Sequence, residues 1–242
     1  MATKHIHCGF DLPPGFALND RYYVEQRLGR GWEGEVYKVV EKDTGIERAA
    51  KLFFPHRNHR NTAARHYAIK LHKLRDCKIL IQYINQEIVP YQDDQIRMLV
   101  SEYVEGELLT DFVKRQRGRV LPLFESIHLL HALAAGVAEI HLSREYHGDL
   151  HGDNVIVRRF GLGFEVKLID MFHWGTPSRA NIAEDVCNLV RIFYDTLGGA
   201  ARYQKMKPQA KAICCGLKRS IILRKFPTAA HLRDHIESIH WD

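Results

Sequence analysis

Near the start of the chain, apolar and polar positions alternate along short runs broken by glycine. Tyr22-Tyr23-Val24 leads into a glycine-rich turn and then Glu35-Val36-Tyr37-Lys38-Val39-Val40; after the turn at Asp43-Thr44-Gly45 comes Ala49-Ala50-Lys51-Leu52-Phe53-Phe54. Runs of this length, rich in β-branched and aromatic residues, predict a β-meander. Over 61–75 the period changes, with Ala64, Ala68, Leu71 and Leu74 at helical spacing. Ile79–Tyr83 and Arg97–Tyr103 read as strands, with the polar run 92–95 turning between them. Beyond Gly106 the pattern is helical: a short helix over Leu108–Val113, then a long one over Ser126–Leu142 with Ile127, Leu130, Leu133, Ala134, Val137 and Ile140 on one face. Val155–Val157 and Val166–Ile169 predict a hairpin, and 183–197 and 228–239 are helical again. The expected organisation is an irregular extension over 1–20, a β-rich lobe with one helix over 21–103, a hinge near 102–107, and a shortened helical lobe over 104–242, an α+β fold. Clefts between lobes are where small ligands bind.

Composition narrows the class without naming it. The chain has 242 residues, 45% of them apolar and 26% charged, which suits one large domain or two small lobes. The formal charge is +6, with basic clusters at 56–60, 114–119 and Arg158-Arg159. None is interleaved with aromatic residues, so solvated surface is expected and nucleic acid is not. The five cysteines are irregularly spaced and form no Cys-x-x-Cys pair, so reduced thiols and a cytoplasmic location are expected. His5, His7 and Cys8 could chelate a metal, but near a chain end they read as incidental. No apolar leader core and no stretch of about 18 apolar residues stands out, so no membrane span is expected.

The candidate chemistry begins at Gly29-Arg30-Gly31-Trp32-Glu33-Gly34-Glu35-Val36. A Gly-x-Gly-x-x-Gly run between two strands, rather than between a strand and a helix, suits a loop lying over nucleotide phosphates. Lys51 follows in a small-apolar strand, from which its amine can reach towards phosphate oxygens. His147-Gly148-Asp149-Leu150-His151-Gly152-Asp153-Asn154 follows the long helix and matches His-x-Asp-Leu-x-x-x-Asn. Asp149 would orient an incoming hydroxyl and accept its proton; Asn154, five positions on, would reach a metal bridging the phosphates. Asp170, closing an apolar strand, places a second carboxylate where magnesium needs a ligand.

These motifs in this order resemble the protein-kinase superfamily, over about 22–239. The resemblance implies ATP and magnesium as cofactors. Gly29, Gly31, Gly34 and Val36 would cover the nucleotide, and Lys51 would hold its α and β phosphates. Ser101-Glu102-Tyr103-Val104 looks like the hinge, with backbone groups of Glu102 and Val104 meeting adenine, Ser101 as a small gatekeeper and Glu107 near the ribose. Asp149 would be the base, assisted by His151; Asn154 and Asp170 would hold the metal. Asp185 resembles the aspartate that braces this loop, a structural role.

The departures from the pattern bear on substrate and control. The helix over 61–75 offers no glutamate for Lys51; the position falls near Tyr67, and Glu33 is the alternative partner. Gly148 stands where an arginine is usual, and the interval from Asp170 to Asp185 is too short for a phosphorylated activation segment, which implies constitutive competence or control by a partner. His151 replaces a lysine, and its run resembles aminoglycoside- and choline-type kinases; histidine charge varies near neutral pH. Asp170-Met171-Phe172 replaces Asp-Phe-Gly and hints at a segment locked in one state. Little chain is left between Leu197 and the Pro227-Thr228 helix start for a peptide platform. The reading is a minimal Ser/Thr protein kinase with a protein substrate; the alternatives are a small-molecule kinase and a nucleotide-binding pseudokinase.

Overall fold

The computed structural model describes residues 9–161 and 163–239. His5, His7 and Cys8 lie outside them. Contacts divide the chain into two units, one running up to Arg75 and resuming over Ile81–Val104, the other formed by Asp76–Leu80 and the chain from Glu105 onward.

The first unit is built on an antiparallel six-stranded sheet. Its strands are β1 (Ala17–Leu18), β2 (Tyr22–Arg30), β3 (Gly34–Glu41), β4 (Glu47–Phe53), β5 (Tyr83–Tyr91) and β6 (Asp94–Glu102), in the order β1-β2-β3-β4-β6-β5. The meander is as the alternation predicts. Tyr22, Val24, Tyr37, Val39, Ala50 and Leu52 fall on one core face, each at most 2% exposed. The N-terminal segment adds to that core: Phe10, Leu12 and Leu18 are buried in the same cluster, together with Val89, Ile96, Met98 and Val100. The segment is irregular, yet it is tied down. The amides of Phe10 and Asp11 donate to the buried Glu35 carboxylate at 3.1 and 3.3 Å, and Leu12 N donates to the Tyr37 hydroxyl at 3.2 Å. The strand expected at Ile79–Tyr83 is displaced; the chain pairs instead over β5. That strand is an edge with Ile84 and Ile88 exposed and a proline at position 90, so it lacks a clean alternation. Helix α1 (Thr62–Lys73) buries Ala64, Tyr67, Ala68 and Leu71.

Among its described residues the second unit combines a three-stranded sheet, β7 (Glu107–Leu108), β8 (Val155–Phe160) and β9 (Gly163–Leu168), with seven α-helices. These are α2 (Leu109–Lys114), α3 (Leu123–Leu142), α4 (Arg179–Thr196), α5 (Gly199–Arg202), α6 (Pro208–Cys214), α7 (Arg219–Lys225) and α8 (Ala229–Glu237). Contrary to expectation, α3 is long and apolar enough to cross a membrane by length and composition. Here it is the core helix of the unit, with Leu133, Ala134, Val137 and Ile140 fully buried. Helix α4 starts at a capping box, in which Ser178 accepts from Asn181 N and the Asn181 side chain accepts from Ser178 N. Helix α8 is capped by the Thr228 side chain, as the Pro-Thr signature predicts. Helices α5 to α7 were not expected; at one or two turns each they are too short to carry a periodic signal. The four cysteines among the described residues are unpaired, and burial pushes the Cys214 thiol up to about 12.

Candidate functional site

In the first unit, β2 and β3 converge on the glycine-rich turn, closed by a bond from Gly31 N to Gly34 O at 2.9 Å. The three glycines serve different ends. A Cβ on Gly34 would stand 2.0 Å from the Leu52 carbonyl, so that residue is needed for the close approach of β3 to β4; Gly29 and Gly31 face open space. Trp32, after Gly31, is exposed, with the Arg57 guanidinium 3.2 Å from its ring centroid. Val36 pairs with Lys51 across β3 and β4. The Lys51 ammonium lies 3.2 Å from Glu33 and 5.0 Å from the centre of the Tyr67 ring. The helix position that lacks a glutamate therefore presents an aromatic face to the lysine, a weaker and less directional partner than a carboxylate. Ser101 is buried at the end of β6, and Glu102 pairs with Gln82, accepting through Oε1 from its amide and donating to its carbonyl. Val104 follows outside any strand.

In the second unit the His147–Asn154 segment gathers three of the expected residues. Asn154 Nδ2 donates to Asp149 O at 2.7 Å and to Asp149 Oδ2 at 3.1 Å, with His151 Nε2 at 3.0 Å as a third neighbour. The Asp149 carboxylate is 52% exposed, so one oxygen is fixed by Asn154 while the group stays open to solvent. The segment hangs from two buried side chains. Asp185 accepts from His147 N at 2.7 Å, from Gly148 N at 3.0 Å and from His141 Nε2 at 3.1 Å. Burial alone would raise its carboxyl, but the His141 hydrogen bond, the His147 side chain and the two amides hold it below the ordinary aspartate value. His147 donates through Nε2 to Ile169 O at 3.0 Å and accepts at Nδ1 from Asp149 N at 3.3 Å, which fixes its tautomer and joins the segment to the end of β9. There Asp170 has φ 54°, an uncommon conformation for a residue with a side chain. Glu107 starts β7 and is engaged by the Arg115 guanidinium rather than standing open.

Several contacts could not be read from the sequence. Gly148 has φ +86°, and a Cβ there would lie 2.9 Å from both Phe172 O and the Tyr146 ring. Trp174 Nε1 donates to Gly148 O at 2.8 Å, and Trp174 N donates to the Tyr146 hydroxyl, which donates in turn to Gly175 O. Phe172 N donates to His147 O at 2.9 Å, and the Phe172 and Trp174 rings pack tilted at 47° with centroids 4.6 Å apart. The stretch after Asp170 is thereby stapled to the backbone beside Asp149. The one signal in the sequence was an isolated tryptophan, which by itself points nowhere.

A sequence model of the protein kinase domain matches residues 22–189. The chain belongs to the protein kinase family. Among curated relatives, this kinase domain is 30% identical over 165 residues to the serine/threonine-protein kinase pkn2 of Myxococcus xanthus, covering 65% of this chain and 18% of that protein. It is 29% identical over 158 residues to the calcium/calmodulin-dependent protein kinase type II of Caenorhabditis briggsae, covering 63% and 28%. It is 27% identical over 158 residues to Myosin-IIIa of Mus musculus, covering 63% and 9%. The chain thus spans less than a third of each of these relatives. A crystal structure of the PknI kinase domain of Mycobacterium tuberculosis, a double mutant, superposes with a TM-score of 0.68 at 16% identity, covering 94% of this chain and 98% of that one. That likeness shows the fold.

A side chain at Gly148 would meet the Phe172 carbonyl and the Tyr146 ring, so the packing around this position leaves no room for one.

Proposed function

We propose that the chain is an ATP- and magnesium-dependent phosphotransferase that transfers the γ-phosphoryl group to a serine or threonine hydroxyl of a protein. The observation that carries this reading is the Asp149–Asn154–His151 arrangement. A half-exposed carboxylate held at one oxygen by an amide can orient a hydroxyl and take its proton as the oxygen–phosphorus bond forms and the bond to the β-phosphate oxygen breaks. Lys51 and the glycine-rich turn are the residues for the nucleotide phosphates, with Val36, Glu102 and Val104 for the base.

The donor set suits magnesium. Asn154 spends its amide nitrogen on Asp149 and His151, which leaves its Oδ1 as a ligand oxygen, and Asp170 supplies a carboxylate. Among the described residues no cluster of three His, Cys, Asp or Glu could hold a metal unaided, so the phosphates would complete the shell. Magnesium would spread the charge that develops on the phosphoryl oxygens.

Support for a protein substrate comes from the relatives, which include a serine/threonine-protein kinase. The catalytic-loop likeness to small-molecule kinases rests partly on Gly148, whose presence the packing against Phe172 and Trp174 accounts for. The stapled stretch supports competence without activation by phosphorylation.

The test is incubation of wild type and Asp149→Ala with labelled ATP, magnesium and a generic basic protein. Transfer by wild type only, with nucleotide binding retained in the variant, is expected. Full activity in Asp149→Ala would overturn the assignment of the base. Transfer to small amines or alcohols but to no protein would move the substrate class.

A further inference from the structure

The second unit carries a feature that the proposed chemistry does not use. The chain over 116–123 and the chain over 197–207 enclose an open groove of about 880 Å³. Its floor is apolar, formed chiefly by Val120, Leu121, Leu197 and Met206. Its rim is cationic: Arg117, Arg202, Lys205 and Lys207. The walls are fixed. Leu121 N donates to Thr196 O at 2.8 Å, Arg202 Nη2 donates to Gly118 O at 3.4 Å, and a Cβ on Gly198 would stand 2.8 Å from Val120.

Several arginines elsewhere in the unit are ion-paired. Arg115 pairs with Glu107, Arg158 with Glu105 and Glu165, Arg159 with Glu125, Arg219 with Glu184 and Arg233 with Asp234. The four rim cations have no carboxylate partner among the described residues. Glu125, the one acid in the lining, is already held by Arg159 at 2.6 Å. Four such cations around an apolar floor give a positive potential fitted to an anionic partner with apolar side chains. The lining has no aromatic residue on which a base could stack, which disfavours single-stranded nucleic acid.

We infer that this groove docks an acidic segment of a protein partner, one that alternates carboxylate and aliphatic side chains, with the aliphatic groups on the Val120–Met206 floor and the carboxylates on the rim. It would give the domain a means of selecting substrates or regulators apart from the residues that perform transfer. The docking itself stands without the proposed activity; its use in substrate choice rests on that reading.

The probe is a fluorescein-labelled twelve-residue peptide of repeating Glu-Glu-Leu, followed by anisotropy. A Lys-Lys-Leu peptide and a Glu-Glu-Ser peptide serve as comparisons. The wild-type chain is expected to bind the Glu-Glu-Leu peptide at least about tenfold more tightly than either, and more weakly as salt rises. The triple variant Arg117→Glu/Lys205→Glu/Lys207→Glu should lose about tenfold while keeping its melting temperature, because all three side chains are exposed. Met206→Gln should weaken the Glu-Glu-Leu peptide alone. Asp149→Ala should bind as wild type does, so a chain that docks the peptide yet transfers no phosphate would sink the proposed function and leave the groove standing. Equal binding of the acidic and basic peptides, an unaffected triple variant, or tighter binding to phosphatidylserine vesicles or to single-stranded RNA would each overturn the inference.

Discussion

From Tyr146 to Gly175 the kinase domain is cross-tied by Asp185, His147 and Trp174, and among its described residues Gly148, Gly161, Asp170 and Gly175 have positive φ. From Gly29 to Gly34 the turn is closed by the bond from Gly31 N to Gly34 O and tied at Glu33 O to Phe54 N, two of its glycines face open space, and its tip carries an exposed tryptophan against an arginine. Buried hydrogen bonds to Asp185 and His147 hold the first stretch, whereas the tip of the second is exposed. On the proposed function, the first would fix a carboxylate for proton transfer and the second would admit a nucleotide. Lys51 has the part-exposed Glu33 and the Tyr67 ring among its neighbours.

The sharpest test of this contrast is Asp185→Asn. It strips the charge from a buried acceptor of three hydrogen bonds, and a loss of about 3 kcal/mol is expected in urea unfolding. Because the folded state holds this carboxyl low, the stability it supplies is complete above the ordinary aspartate value, about 3.9, and is lost as pH falls through the lowered one. The variant should therefore show a flatter acid limb than wild type. Next come the glycines. Gly148→Ala and Gly34→Ala should each cost about 2 kcal/mol, whereas Gly31→Ala should stay within about 0.5 kcal/mol in the same melts. A large loss in Gly31→Ala would erase the distinction between the two regions. Trp174→Phe keeps a ring and removes the donor to Gly148; kcat should fall about tenfold with nucleotide affinity unchanged, read by steady-state kinetics and direct binding. The smallest effect belongs to Glu33→Gln. A part-exposed pair is worth up to about 1 kcal/mol, so kcat/KM should fall by no more than about fivefold.

Local patterns were enough to find the meander, α1, the long α3, the β8–β9 hairpin and α8, because each carries a periodic or capping signal within its own span. The motifs were legible for the same reason. Asp149 and Asn154 sit five positions apart on one short segment, so their contact is set by local geometry, and Lys51 is located by its strand. The edge strand β5 was placed out of register, since its exposed isoleucines blur the alternation that a half-buried strand would show. The short helices α5 to α7 were missed because one or two turns give no period to detect.

What the sequence by itself determined was the two-part organisation, most of the long elements and a set of candidate site residues. The fold alone decided which glycines are obligatory, that Trp174 reaches the backbone beside Asp149, and that Arg117 and Lys205 border one groove. These are relations between positions far apart in the chain, and they exist only once the backbone brings them within a few ångströms; no periodicity or motif records such a distance.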